Sequence, residues 1–220
     1  LLGRPVDRPA RFVVGGNMPG AVSIGAIPDH LIASRDVGSA SAALVSDTFT
    51  DVNGTGLDLH TPNASPGTAW VEYSGIWEIQ GNEVTQTEGA AVHRVAAIDA
   101  GASDVDVTVT FVTIVGADAG LVVRVTDDNN HYMLQILATT FAFYKKVAGA
   151  FTLLASASAT IANGDVVMVR ASGNNLAAFQ NEVERVTAVD ATFPTQTRHG
   201  IRQYSGANSM DNFLIEPAAV

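Results

Sequence analysis

The chain has 220 residues, 47% of them hydrophobic and 15% charged, with 20 glycines and no cysteine. That is enough apolar material for a core and too little charge for a disordered chain. Twelve basic residues against 22 acidic ones give a net charge of −10, which argues against nucleic acid as a partner; no apolar run reaches the length of a membrane span, and thiol chemistry is unavailable.

The charge is unevenly placed. Residues 1–46 carry four arginines (Arg4, Arg8, Arg11, Arg35) and three aspartates (Asp7, Asp29, Asp36), a net +1 that leaves −10 − 1 = −11 on the remainder. Pro5, Pro9, Pro19 and Pro28, with glycines between them, forbid a lasting helix. Apolar residues come only in pairs and triplets such as Phe12-Val13-Val14 and Leu31-Ile32, too few to fold alone. The segment reads as a flexible leader or as an extended arm laid along a neighbouring subunit. The apolar pairs favour the arm, and with it a homo-oligomer within an assembly.

From Asp47 to about Pro217 the pattern is one of short strands. Asp47-Thr48-Phe49 opens it, and a Gly/Pro/Asn-rich loop runs from Asp51 to Thr68. Trp70–Glu72 reads as a short strand, residues 75–79 and 83–85 as a hairpin, and Ala90–Ile98 as a further strand. Val105, Val107, Val109 and Phe111 alternate with Asp106, Thr108 and Thr110, the period of two of a strand with one buried face. Strands follow at 121–125 and 132–137, joined by the polar turn 127–130; connections this short require antiparallel pairing. Further strands are expected at 141–147, 151–155, 165–171, 176–180, 184–189, 200–204 and 212–216. About a dozen short strands between regular turns indicate an all-β antiparallel sandwich or barrel.

Alternation also offers a candidate binding row. With Leu121, Val123 and Val125 facing the core, Val122 and Arg124 face out; with Tyr132, Leu134 and Ile136 inside, Met133 and Gln135 face out. Tyr144 and Arg202 reach the same outer face, so Arg124, Gln135, Tyr144 and Arg202 are the expected lining of a shallow carbohydrate-binding patch. Trp70 and Tyr73, beside the Gly/Pro-rich loop, are expected to be exposed for a sugar or subunit contact, and Trp77 to be core. No catalytic set emerges. The acidic pairs Glu78/Glu83 and Asp104/Asp106 lack a third carboxylate, Asp104/Asp106 reading as a solvated strand face, and the five histidines show no metal-binding spacing.

Asp47-Thr48-Phe49, Gly75-Ile76-Trp77-Glu78-Ile79-Gln80-Gly81-Asn82, Ala119-Gly120-Leu121-Val122-Val123-Arg124, Tyr144-Lys145-Lys146-Val147-Ala148-Gly149, Gly200-Ile201-Arg202 and Asp211-Asn212-Phe213 resemble the concanavalin A-like (laminin-G-like) jelly roll. The form they resemble in particular is that of bacteriophage minor tail and other virion proteins. The resemblance spans roughly residues 47–217 and implies a non-catalytic virion subunit, located in the extracellular particle. It would contact other virion proteins through the arm and display its jelly roll for attachment to host-surface glycans; a capsid decoration protein or a secreted carbohydrate-binding module is the alternative. It also implies a structural calcium on Asp47 and Asp211, with Asp51 nearby, although both aspartates also fit as turn caps. The family's Asn-Gly turn after residues 176–180 is replaced by Asn181-Glu182, which predicts a looser hairpin.

Overall fold

The computed structural model describes residues 42–89, 92–116, 118–204 and 208–219, so residues 1–41 of the expected arm lie outside the described residues. The strands are β1 (Val45–Asp47), β2 (Thr55–Gly56), β3 (Val71–Ser74), β4 (Trp77–Gln80), β5 (Glu83–Gln86), β6 (Arg94–Asp99), β7 (Val105–Thr113) and β8 (Ala119–Asp127). They continue as β9 (Asn130–Leu137), β10 (Thr140–Val147), β11 (Ala150–Ser158), β12 (Val166–Ser172), β13 (Asn175–Gln180), β14 (Val183–Val189), β15 (Arg198–Gln203) and β16 (Ser209–Pro217).

They form two antiparallel sheets. One has nine strands in the order β14-β13-β12-β7-β16-β5-β4-β2, with β1 also paired to β16; the other has seven, β11-β10-β9-β8-β15-β6-β3. The runs β4–β5, β8–β9–β10–β11 and β12–β13–β14 pair as hairpins, while β15 and β16 each insert between strands made much earlier. The alternating residues of β7, with Val167, Val169, Leu176, Phe213 and Ile215, meet Leu121, Val123, Tyr132, Leu134, Ile136, Phe141, Phe143 and Ile201 in one core.

Three departures from the sequence reading have local causes. Arg124 adopts a φ of 54°, and the β8–β9 register shifts between Val123 and Asp127. This bulge swaps the faces beyond it: Arg124, expected outside, is fully buried, and Val125, expected in the main core, joins the cluster on the outer face. The β13–β14 hairpin is tight rather than loose. Gln180 pairs with Val183 across a two-residue loop in which Asn181 (φ 49°) and Glu182 (φ 66°) are both left-handed, the type I′ geometry. Asn181 takes the part of the missing Asn-Gly, its side chain accepting from Val166 N (3.0 Å) and donating to Asp165 Oδ1 (2.7 Å). The first strand begins at Val45, inside the expected arm, because Val45 and Ser46 pair with Ile215 and Leu214.

Candidate functional site

The outer face of the seven-stranded sheet carries its own small cluster: Val95, Ala97, Val122, Val125 and Met133, with Tyr73 and Tyr144 packed against it. Register aligns the polar members. Arg202 on β15 lies opposite Gly120 on β8, and Gly120 lies opposite Gln135 on β9. One step along, Val122, Met133 and Tyr144 form the adjacent row. Gly120 is required here, because a Cβ on it would meet Leu134 O at 1.9 Å and come within 3.7 Å of Arg202 Cδ. Without a side chain at that point, Arg202 lies across the sheet.

These residues line a cavity of about 320 Å³ formed by His93, Asp118, Met133, Gln135, Tyr144, Phe151, Arg202 and Tyr204, at the small end of the range for ligand sites. Three of the residues expected in the binding patch, Gln135, Tyr144 and Arg202, are thus brought together. Arg202 is 1% exposed. Its Nη1 donates to Asp118 Oδ1 in a short ion pair, and Gln135 Nε2 donates to the same oxygen at 3.0 Å. Tyr204 N donates to Asp118 O at 2.9 Å, tying the two walls. Burial pulls the Arg202 pKa below its ordinary value, and the Asp118 carboxylate opposes that pull.

His93 forms part of one wall, with the buried His131 stacked against it. His131 Nδ1 lies 3.2 Å from Asp127 O, and its Nε2 is 3.2 Å from His93 Nε2. A carbonyl only accepts, so His131 carries its proton on Nδ1 and accepts at Nε2 from His93. Burial, then the positive charges of Arg202 and Lys146, hold His93 at about 2. Burial likewise holds His131 at about 4. The two rings stack at 15° and Phe151 stands edge-on to His93 at 5.4 Å. Lys146 lies over Phe151 at 5.2 Å and donates to Asp128 O at 2.7 Å.

The remaining expected residues lie elsewhere. Arg124 is a strut in the interior, not a lining residue. It donates to Ser103 O (3.1 Å), Gly173 O (2.7 Å), Phe193 O (3.3 Å) and Asp104 Oδ1 (2.7 Å), joining three loops. Trp70 is 2% exposed, against the expectation of an exposed platform. It packs on Phe49 and Phe213, and its Nε1 donates to Asp47 Oδ2 at 2.8 Å. Tyr73 is half-buried and its hydroxyl accepts from Arg198 at 2.7 Å. Asp106 is not a solvated residue of a strand face but is held by Arg170 Nε and Nη2 at 2.7 and 2.6 Å.

The residues expected to hold calcium do not form a metal site. Asp47 accepts from Trp70 Nε1, Phe49 N and His60 Nε2, the last two at 2.9 Å on Oδ1. His60 Nδ1 lies 3.0 Å from Asp51 Oδ2. Burial alone would lower the pKa of His60; its hydrogen bonds to Asp51 and Asp47 outweigh that and raise it. The His60 ring therefore bridges Asp47 and Asp51 on this side. Among the described residues Asp211 accepts only from Asn212, and burial raises its pKa. Among the described residues no group of three or more His, Cys, Asp or Glu is arranged to hold a metal ion.

Asp118, His93, Phe151 and Tyr204 were not singled out by the sequence. The only local signal was Asp118 itself, an aspartate in a Gly-flanked turn. Its partner Arg202 is 84 residues away, and only the insertion of β15 beside β8 joins them.

No family model matches the chain and no curated protein matches it. Solved structures do. The carbohydrate-binding module CBM66 from Bacillus subtilis is 20% identical with a TM-score of 0.56, over 67% of this chain and 94% of that one. The exoplasmic/lumenal domain of VIP36, in its Ca2+/Man3GlcNAc-bound form, is 12% identical with a TM-score of 0.51, over 71% and 88%. A Bacillus subtilis protein of unknown function with a galectin-like fold is 11% identical with a TM-score of 0.52, over 76% and 96%. The fold is a galectin-like jelly-roll sandwich. That agrees with the concanavalin A-like architecture expected from the sequence; the phage-tail part of the resemblance draws no support from these structures.

Proposed function

We propose that this is a non-catalytic carbohydrate-binding domain whose site is the cavity on the outer face of the seven-stranded sheet. The observation that carries the reading is a buried arginine, Arg202, ion-paired at the floor of a cavity whose rim is aromatic. Planar polar groups beneath exposed rings suit a sugar, which has hydroxyls on its edge and C–H groups on its faces. Tyr204 and Phe151 are 41% and 46% exposed at this rim. CBM66 and the glycan-bound VIP36 domain share the architecture, which lends support at the level of fold alone. Glycoside cleavage needs two carboxyl groups across the scissile bond, and Asp118 is the one carboxylate among the described lining residues, already engaged by Arg202. Calcium has no part in this reading, because Asp47 is occupied by protein donors.

The placement in a virion, with an arm contacting other virion proteins, remains a proposal from the sequence that the comparisons do not support. The test of the binding function is a glycan array probed with the full chain beside its Gln135→Ala and Tyr144→Ala variants. Saturable binding by the wild type, lost in both variants at unchanged melting temperature, is expected. Binding that survives both changes would move the site elsewhere on the domain.

A further inference from the structure

We infer that the cavity takes a neutral saccharide unit, read through adjacent hydroxyl groups, and discriminates against acidic sugars; this rests on the carbohydrate-binding reading above. The argument begins with the hydrogen-bonding atoms left after the protein's own bonds are made. Arg202 Nη1 is committed to Asp118, and Arg202 Nε is sealed from solvent with no partner. Nη2 has no partner among the described residues, so it is the donor edge left for a ligand. Asp118 Oδ1 receives both Arg202 and Gln135, which leaves Oδ2 as an acceptor. Because the Gln135 amide faces a carboxylate, its NH2 end is the one turned to Asp118. Its second N–H and its Oε1 remain. The hydroxyl of Tyr144 both donates and accepts.

Donors and acceptors are therefore interleaved over one small surface. A hydroxyl group satisfies both kinds at once, whereas a carboxylate or sulfate only accepts. An acidic group brought to Arg202 Nη2 would face Asp118 Oδ2 and Gln135 Oε1, lone pair against lone pair. Two adjacent hydroxyls suit the same place, one accepting from Arg202 and the other donating to Asp118.

Charge gives the same answer. Arg202 is matched by Asp118, and Lys146 by Asp128, with Nζ 3.4 Å from Oδ2. His93 and the buried His131 against it are neutral at physiological pH, held so by burial and by the neighbouring cations. The described lining residues thus offer no uncompensated cation to an anion, and a partly desolvated anion without one is costly. Met133 and the rings of Tyr144, Phe151 and Tyr204 complete an environment for the C–H faces of a sugar.

The test is an array of neutral mono- and oligosaccharides with matched uronic-acid, sialylated and sulfated counterparts, followed by calorimetric titration of the full chain with the best member of each class. The neutral member is expected to bind tighter. Asp118→Asn replaces the free acceptor and uncovers Arg202. It is expected to weaken the neutral sugar by roughly tenfold or more and to strengthen the acidic one. Gln135→Leu, which leaves the ion pair intact, is expected to weaken the neutral sugar without helping the acidic one, and so serves if Asp118→Asn fails to fold. A wild type that prefers acidic glycans overturns the inference and leaves the carbohydrate-binding function standing. A folded wild type that binds no glycan of either class overturns both.

Discussion

At the scale of single residues, the histidines set how stability depends on pH, and they act in opposite directions. His60 has its pKa raised above 6.5 by Asp51 and Asp47. Its contribution is complete below about pH 6.5 and is lost as pH rises through the raised value. His93, His131 and His199 are kept neutral by burial, at about 2, 4 and 4 respectively. The unfolded chain takes up protons at these three below 6.5 while the folded chain does not, so stability falls as pH drops below that point. Melting temperature is therefore expected to peak near neutrality. His60→Gln should flatten the alkaline side of the curve and leave the acid side in place; a curve unchanged on the alkaline side would remove His60 from this role. Arg124 makes the other sharp prediction. Replacing it by Ala removes the donor from the carbonyls of Ser103, Gly173 and Phe193, and a loss of about 1 to 3 kcal/mol is expected by denaturant titration.

At the scale of elements, the turns and bulges decide where alternation can be trusted. The outward Met133 and Gln135 and the inward Tyr132, Leu134 and Ile136 were legible, because β9 runs without a break in period over that span. Arg124 was not legible. Its sequence neighbours continue the pattern, and the face swap arises from how β8 meets β9, a relation between strands that no single strand contains. Trp70 was misplaced for a similar reason: Asp47 and Phe49, which bury it, arrive from β1 and the turn after it. Gly120 is the element-scale test of the site. Gly120→Ala places a Cβ against Leu134 O, so the β8–β9 pairing must open. A loss of about 1 to 3 kcal/mol is expected, together with weakened sugar binding as Arg202 is displaced. Full affinity in that variant would show that Arg202 does not depend on the glycine.

At the scale of the whole molecule, sugar affinity and stability are expected to respond differently to pH. Neither His93 nor His131 titrates near neutrality. Glycan affinity is therefore expected to stay flat from about pH 5 to pH 8, even while melting temperature changes. A steep change in affinity over that interval, measured by titration at constant ionic strength, would show that a group on this face takes up or loses a proton. The position of β16 has a different kind of consequence. It lies mid-sheet, joining β7 on one side to β5 and β1 on the other. Until residues 209–217 have left the ribosome, β1 has no partner in its sheet and β5 and β7 have nothing between them. The sandwich therefore closes only once its own last strand has been made, through pairings of large sequence separation that form slowly. Until then the unpaired edges of β5 and β7 are open to chaperones and to neighbouring nascent chains alike.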